Sequence, residues 1–90
     1  MAYNIDKFKR LLRVWVFIIE NEGTTISKAS STLGLNKTTL SNDLNVLERL
    51  GVVKRIEVKG PPRRNEVWLT EKGKKLVKHV LAIYNELLKP

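Results

Sequence analysis

The sequence predicts a mainly α-helical domain with one small β-hairpin, in the order α-α-α-β-β-α. Three observations lead there. Residues 27–50 (SKASSTLGLNKTTLSNDLNVLERL) read as two short helices around a glycine turn. Two alternating, β-branched runs flank the stiff segment Gly60-Pro61-Pro62-Arg63-Arg64-Asn65. Long apolar-patterned segments with helix-start signals lie on either side. Ninety residues are enough for a single domain with a small core.

The first helix is expected over residues 6–21, after a loose arm at residues 1–5. Asp6 is the expected cap, and Asn21-Glu22-Gly23 ends the helix. Phe8, Leu11, Leu12, Val14, Trp15, Val16, Phe17, Ile18 and Ile19 make it apolar nearly all round after Arg13. That is wider than one core-facing stripe requires. Thr24-Thr25-Ile26 reads as an extended connector.

Ser27 can cap the second helix, because its hydroxyl accepts one of the orphan N–H groups of a helix start. Ala29 and Leu33 lie on its inner face, and Gly34 follows where a helix end favours positive φ. Asn36 then caps a third helix that runs from Lys37 to about Leu50. At 100° per residue, Leu40, Leu44 and Leu47 fall within an arc of about 60° and form a core stripe. Thr38, Asn42, Asn45 and Arg49 fall within a similar arc of about 60° on the opposite side. Solvated helix faces usually carry Glu and Lys, whereas Asn and Thr disfavour helix. These side chains instead suit base edges: Asn pairs with adenine, Arg with guanine, and a Thr methyl touches thymine.

Gly51 closes the third helix, and a hairpin is expected over residues 52–70. Val52, Ile56 and Val58 share one face of its first strand, and Val67 and Leu69 share a face of the second. Thr70 caps a last helix over residues 71–88, with Glu71 in its first turn. That helix carries two apolar rows, Leu76-Val80-Ile83-Leu87 and Val77-Leu81-Tyr84-Leu88. One row would suffice to pack on this domain. The surplus on both terminal helices predicts a homodimer seam, with Leu12, Trp15, Ile19, Leu81, Tyr84 and Leu88 as its candidate residues.

Charge narrows the partner. The chain carries a net +8, and residues 53–78 hold nine basic residues against three acidic ones. Such a block attracts a polyanion and releases its counterions. A membrane-surface segment would need the lysines on one face of an amphipathic helix, but much of this charge sits in the hairpin. Nucleic acid is therefore the expected partner, and no membrane. The apolar run Val14–Ile19 is too short to span a bilayer, and no cleavable leader is recognisable, so a cytoplasmic, nucleoid- or plasmid-associated location is expected.

Enzyme chemistry finds little to work with. Cysteine is absent, which removes disulfides, thiolate zinc sites and a Cys nucleophile. The single histidine, His79, has no nucleophile at local spacing, and one His cannot build a metal site. There is no Gly-rich phosphate loop and no isolated carboxylate pair. No catalytic residue, metal or cofactor is expected.

Two segments carry a family resemblance. Leu44-x-x-Leu47-Glu48-x-x-Gly51-Val52-Val53-x-Arg55 looks like a recognition helix running into a wing. Val67-x-Leu69-Thr70-Glu71-x-Gly73 looks like the wing's return strand entering the next helix. Over roughly residues 24–75 the chain resembles winged helix–turn–helix regulators, most closely the MarR-like ones of archaea and bacteria. Where the MarR wing often has an Asp just before its Arg, this chain has Pro62 before Arg63. It is also short for that family and leaves little room for an effector pocket, so a small-molecule effector is not expected.

The resemblance implies a dimeric, sequence-specific transcription regulator. The recognition-helix contacts would be Lys37, Thr38, Thr39, Ser41, Asn42, Asn45 and Arg49. The wing would contribute Lys59, Arg63, Arg64 and Asn65, and Ser27, Lys28 and Arg55 would add further contacts. The alternative on the same fold is an architectural or plasmid-partition protein that binds a centromere-like site and spreads along DNA.

Overall fold

The computed structural model describes residues 4–89. Of the expected loose arm, only Asn4 and Ile5 fall within them. The elements are α1 (Ile5–Glu20), β1 (Thr24–Thr25), α2 (Ile26–Leu33), α3 (Lys37–Arg49), β2 (Val53–Val58), β3 (Arg64–Leu69), α4 (Glu71–Lys75) and α5 (Val77–Leu87). Helices thus dominate, around a three-stranded antiparallel sheet of order β1-β3-β2.

Two helix caps lie two residues earlier than the sequence suggests. Asn4 caps α1 in place of Asp6, its side chain accepting from the Lys7 N–H at 3.1 Å. Thr25 caps α2 in place of Ser27, accepting from the Lys28 N–H at 3.2 Å. In both cases the capping side chain sits three residues before the donor it satisfies, as N-cap geometry requires. Gly34 ends α2 in the left-handed region, at φ 68°. The turn is fastened by Ser30, whose hydroxyl donates to the Leu35 carbonyl at 2.5 Å. Asn36 caps α3 as expected, accepting from the Thr39 N–H at 2.7 Å.

The main core gathers Val14 and Ile18 of α1, Ala29 of α2, Leu40, Leu44 and Leu47 of α3, and Val52, Val53, Val67 and Leu69 of the hairpin. Leu40 and Leu47 are fully enclosed, at 0% exposure. Each such leucine contributes about 1.5–3 kcal/mol of burial free energy, so α3 is held by its leucine stripe.

A second, smaller core explains most of the apolar surplus on α1. Leu12 and Val16 face α5 and enclose Val80, with Phe8, Trp15, Ile19, Leu76, Leu81, Tyr84 and Leu88 packed around them. α1 is therefore sandwiched between the winged core and α5, which is why it is apolar on two sides. Leu12, expected at a dimer seam, is 4% exposed and lies inside the protomer. Trp15, Ile19, Leu81, Tyr84 and Leu88 are half-buried against the same cluster. The apolar side chains left open at the two ends are Ile83 and Leu87 on α5 and Ile5 on α1.

The hairpin reverses one expected face. β2 begins at Val53, opposite Leu69, so Val53 and Arg55 point the same way as Leu69 and Val67. Ile56 pairs with Glu66 on the other face and is exposed. Val52 is buried, but it precedes the strand and does not set its alternation. A one-residue shift of this kind exchanges the two faces of a strand. β1 is short, with Thr24 opposite Val67 and Thr25 opposite Glu66.

The last helix is two. Gly73 in α4 packs so tightly on the hairpin base that a Cβ there would lie 2.1 Å from the Val52 carbonyl oxygen. Thr70 joins the same corner, donating to the Gly51 carbonyl at 2.5 Å and capping α4 by accepting from the Gly73 N–H at 3.1 Å. α5 must instead reach α1, and the chain bends between the two tasks at Leu76, whose N–H bonds the Gly73 carbonyl in a tightened turn. Among the described residues no helix is long and apolar enough to cross a membrane.

Candidate nucleic-acid interface

Because the leucine stripe pins α3 inward, its opposite edge faces solvent. Lys37, Thr38, Asn42, Asn45 and Arg49 are exposed, while Thr39 and Ser41 are half-buried at the margins. Lys37, at the first turn, borders an open groove between α2 and the wing. Thr25, Ile26 and Ser27 form one wall, and Pro62, Arg63, Arg64 and Asn65 the other. The fold thus brings together the expected recognition-helix start, Ser27 and three of the four expected wing residues. Lys28 is not among them; it borders a separate hollow with residues 21–25. Lys59 is exposed on the wing but does not border the groove.

The expected cations divide into free and paired groups. Lys37, Arg49, Lys59 and Arg63 have no ion-pair partner among the described residues. Arg55, expected to contact DNA, is half-buried and turned back onto α3. Its Nε donates to Glu48 Oε1 at 2.6 Å, and its Nη2 donates to Asn45 Oδ1. A guanidinium has only donors, so it draws the Asn45 carbonyl oxygen to itself and turns the amide NH2 outward. Arg64 is tied along its own strand, its Nε donating to Glu66 Oε2 at 3.1 Å.

What fixes α3 from behind was missed in the sequence. Asp43 lies on the leucine side of the helix, 5% exposed. Arg10 of α1 grips it with two hydrogen bonds, Nε to Oδ2 at 2.7 Å and Nη2 to Oδ1 at 2.9 Å. The hydrogen bonding to Asp43 raises the Arg10 pKa above its usual value; partial burial opposes this, and the attraction of the Asp43 charge adds to it. A carboxylate at i+3 from Leu40 and i−4 from Leu47, on the core stripe, was the available signal that a basic partner had to exist. Glu22 is a second omission; its Oε1 accepts from the Leu69 N–H at 3.1 Å and ties the end of α1 to the sheet.

A capped helix pair leading into a basic hairpin, with a polar outer edge on its second helix, is the architecture of a winged helix. The family model for the ArnR1-like winged-helix domain matches residues 3–86. The chain belongs to the ArnR1-like winged-helix family. Solved structures agree on this winged-helix fold. A transcriptional regulator homologue from Pyrococcus horikoshii OT3 is 26% identical with a TM-score of 0.74, over 87% of this chain and 78% of that one. A MarR transcriptional regulator from Methanosarcina mazei Go1 is 27% identical with a TM-score of 0.76, over 84% of this chain and 55% of that one. MepR of S. aureus, in its DNA complex, is 26% identical with a TM-score of 0.73, over 87% of this chain and 57% of that one. The winged-helix domain therefore spans little more than half the length of the last two. Its fold is that of MarR-like transcriptional regulators, as the sequence motifs led us to expect. No curated protein matches the chain.

Proposed function

We propose that this winged-helix domain binds double-stranded DNA sequence-specifically, as a homodimeric transcription regulator. The observation that carries the reading is the outer edge of α3. Thr38, Asn42 and Asn45 are exposed there, away from the leucine stripe, on the helix whose first residue, Lys37, borders a groove with Arg63 and Arg64. In helix–turn–helix proteins the second helix enters the major groove and its N-terminal part meets base edges. Asn42, with no side-chain hydrogen bond among the described residues, is free for a bidentate pair with adenine. Asn45 offers its amide N–H groups outward and reads an acceptor edge. Lys37, Arg49, Lys59 and Arg63 serve the phosphate backbone, and the MepR–DNA complex among the similar structures supports DNA as the ligand. The open apolar side chains Ile83 and Leu87 support a second copy as the partner of α5.

Selection of bound sites from random DNA, followed by footprinting at rising protein concentration, tests this. A saturable footprint on a palindromic site, with affinity falling by a log–log salt slope of about −0.9 per contacted phosphate, is expected. A footprint that extends stepwise along flanking DNA would make the protein a coat, as an architectural or partition factor is. A slope near zero would remove DNA as the partner.

A further inference from the structure

The outer face of the wing holds a chain of contacts that base reading by α3 does not use. Trp68 is half-buried on that face, where a side chain with no partner would simply be solvated. Its ring lies over Gly23, so closely that a Cβ on Gly23 would fall 2.8 Å from the indole. Gly23 also has φ 84°, a conformation that L side chains rarely adopt, so the backbone there suits only glycine. The indole Nε1 then donates to Glu66 Oε1 at 3.1 Å, and Glu66 Oε2 accepts from Arg64 Nε at 3.1 Å. Both carboxylate oxygens are thus engaged, one by an anchored ring and the other by a guanidinium. Glu66 itself is largely enclosed, with 19% of its side chain exposed, whereas Arg64 is 47% exposed and borders the groove with Lys37 and Ser27.

We propose that Trp68 and Glu66 are positioning residues for Arg64, presenting its guanidinium in a fixed orientation to DNA beside the start of the recognition helix. This rests on the DNA-binding reading. Arg63, adjacent but with no ion-pair partner among the described residues, is the untethered cation that attracts the backbone. Arg64 is the oriented one that discriminates. A carboxylate beside a DNA-facing arginine lowers attraction for any polyanion, so its contribution has to come from geometry. Glu66 therefore lowers affinity for random DNA and raises the ratio of cognate to random binding.

The test combines DNA titrations on a selected site and a random duplex with nitrogen–proton NMR of the free protein. Glu66→Gln is expected to raise random-duplex affinity, steepen the salt slope by up to about 0.9, and lower the cognate-to-random ratio at least about fivefold. Trp68→Phe keeps the ring and removes the N–H; it should lower the ratio with the salt slope unchanged. Arg64→Lys keeps the charge without the planar fork and should retain random binding while losing the ratio. In an Arg64→Ala background neither Glu66→Gln nor Trp68→Phe should change the ratio further, because coupled residues are not additive. In the free protein, Glu66→Gln should shift both the Arg64 Nε–H and the Trp68 indole signals. A ratio that Glu66→Gln leaves unchanged overturns the proposal, as does an equal drop with Arg64 absent or an Arg64 Nε–H signal insensitive to Glu66. A parent protein that binds neither duplex overturns the DNA reading and the relay's role with it, while the NMR signals still report whether the contacts exist.

Discussion

Replacing Arg10 by Met strands a carboxylate behind the recognition helix. In the parent, Asp43 has 7% of its side chain exposed and receives two short hydrogen bonds from Arg10, whose own side chain is 29% exposed. Breaking a fully buried pair from one side costs about 3–5 kcal/mol. Water reaches this pair through Arg10, which places the expected loss near the lower end, about 3 kcal/mol. Asp43→Asn strands the more exposed partner and should cost less, about 1.5–2 kcal/mol, in the range of a hydrogen bond to a charged group. Arg10→Met with Asp43→Leu strands neither and should recover most of the loss. These are large fractions of the roughly 5–15 kcal/mol that stabilises a domain. Urea unfolding, with the slope checked for constancy, measures all three. Losses below about 0.5 kcal/mol for both single variants, as for a solvated ion pair, would refute the buried-clamp account. The pH dependence has a defined sign: the Arg10 pKa is raised on folding, so its contribution is fully present below the unfolded value. It is lost only as pH rises through the higher folded value, so moderately alkaline pH should leave the Arg10→Met penalty unchanged.

Three further outcomes can be checked on the free protein. Gly73→Ala should destabilise by about 2 kcal/mol or more in thermal or urea unfolding, because its Cβ would press on the Val52 carbonyl and part α4 from the hairpin. Trp15→Phe should be close to neutral or stabilising, since the buried Trp15 Nε1 has no hydrogen-bond partner and an orphan donor costs about 1–3 kcal/mol. Sedimentation should show Ile83→Lys and Leu87→Lys weakening self-association without loss of helix, because both side chains are exposed in the protomer, whereas Leu12→Lys should unfold it; a stable parent monomer at micromolar concentration would refute the seam.

The parts of the fold legible in the sequence are those whose signals are local. Asn36 and the stripe Leu40-Leu44-Leu47 lie within one helix, so cap and core face could be read together. Gly34, Gly51 and Thr70 likewise mark ends through their own conformations or caps. Contacts between distant segments were not legible. Arg10 and Asp43 lie 33 residues apart, and nothing near Asp43 names its partner. The two-residue strand β1 is too short to show alternation, and its place follows from pairing with β3. Counting the alternation from Val52 put Ile56 and Val58 on the inner face, whereas Leu69 opposite Val53 sets the register one residue later. The apolar excess on α1 was seen correctly as an excess, but α5 covers much of it within the same protomer. In the candidate interface, exposure of Asn42 and Asn45 followed from periodicity, while the capture of Asn45 by Arg55 needed the folded chain.

Binding of Asn42→Ala to the selected site and to a random duplex, at one fixed salt concentration, tests base reading by α3 most directly. Asn42 is exposed and lies outside the core cluster, so the fold should be unchanged. The account predicts a loss of about 1–3 kcal/mol on the selected site with random binding unaltered. Equal affinities of parent and variant on both duplexes would contradict it.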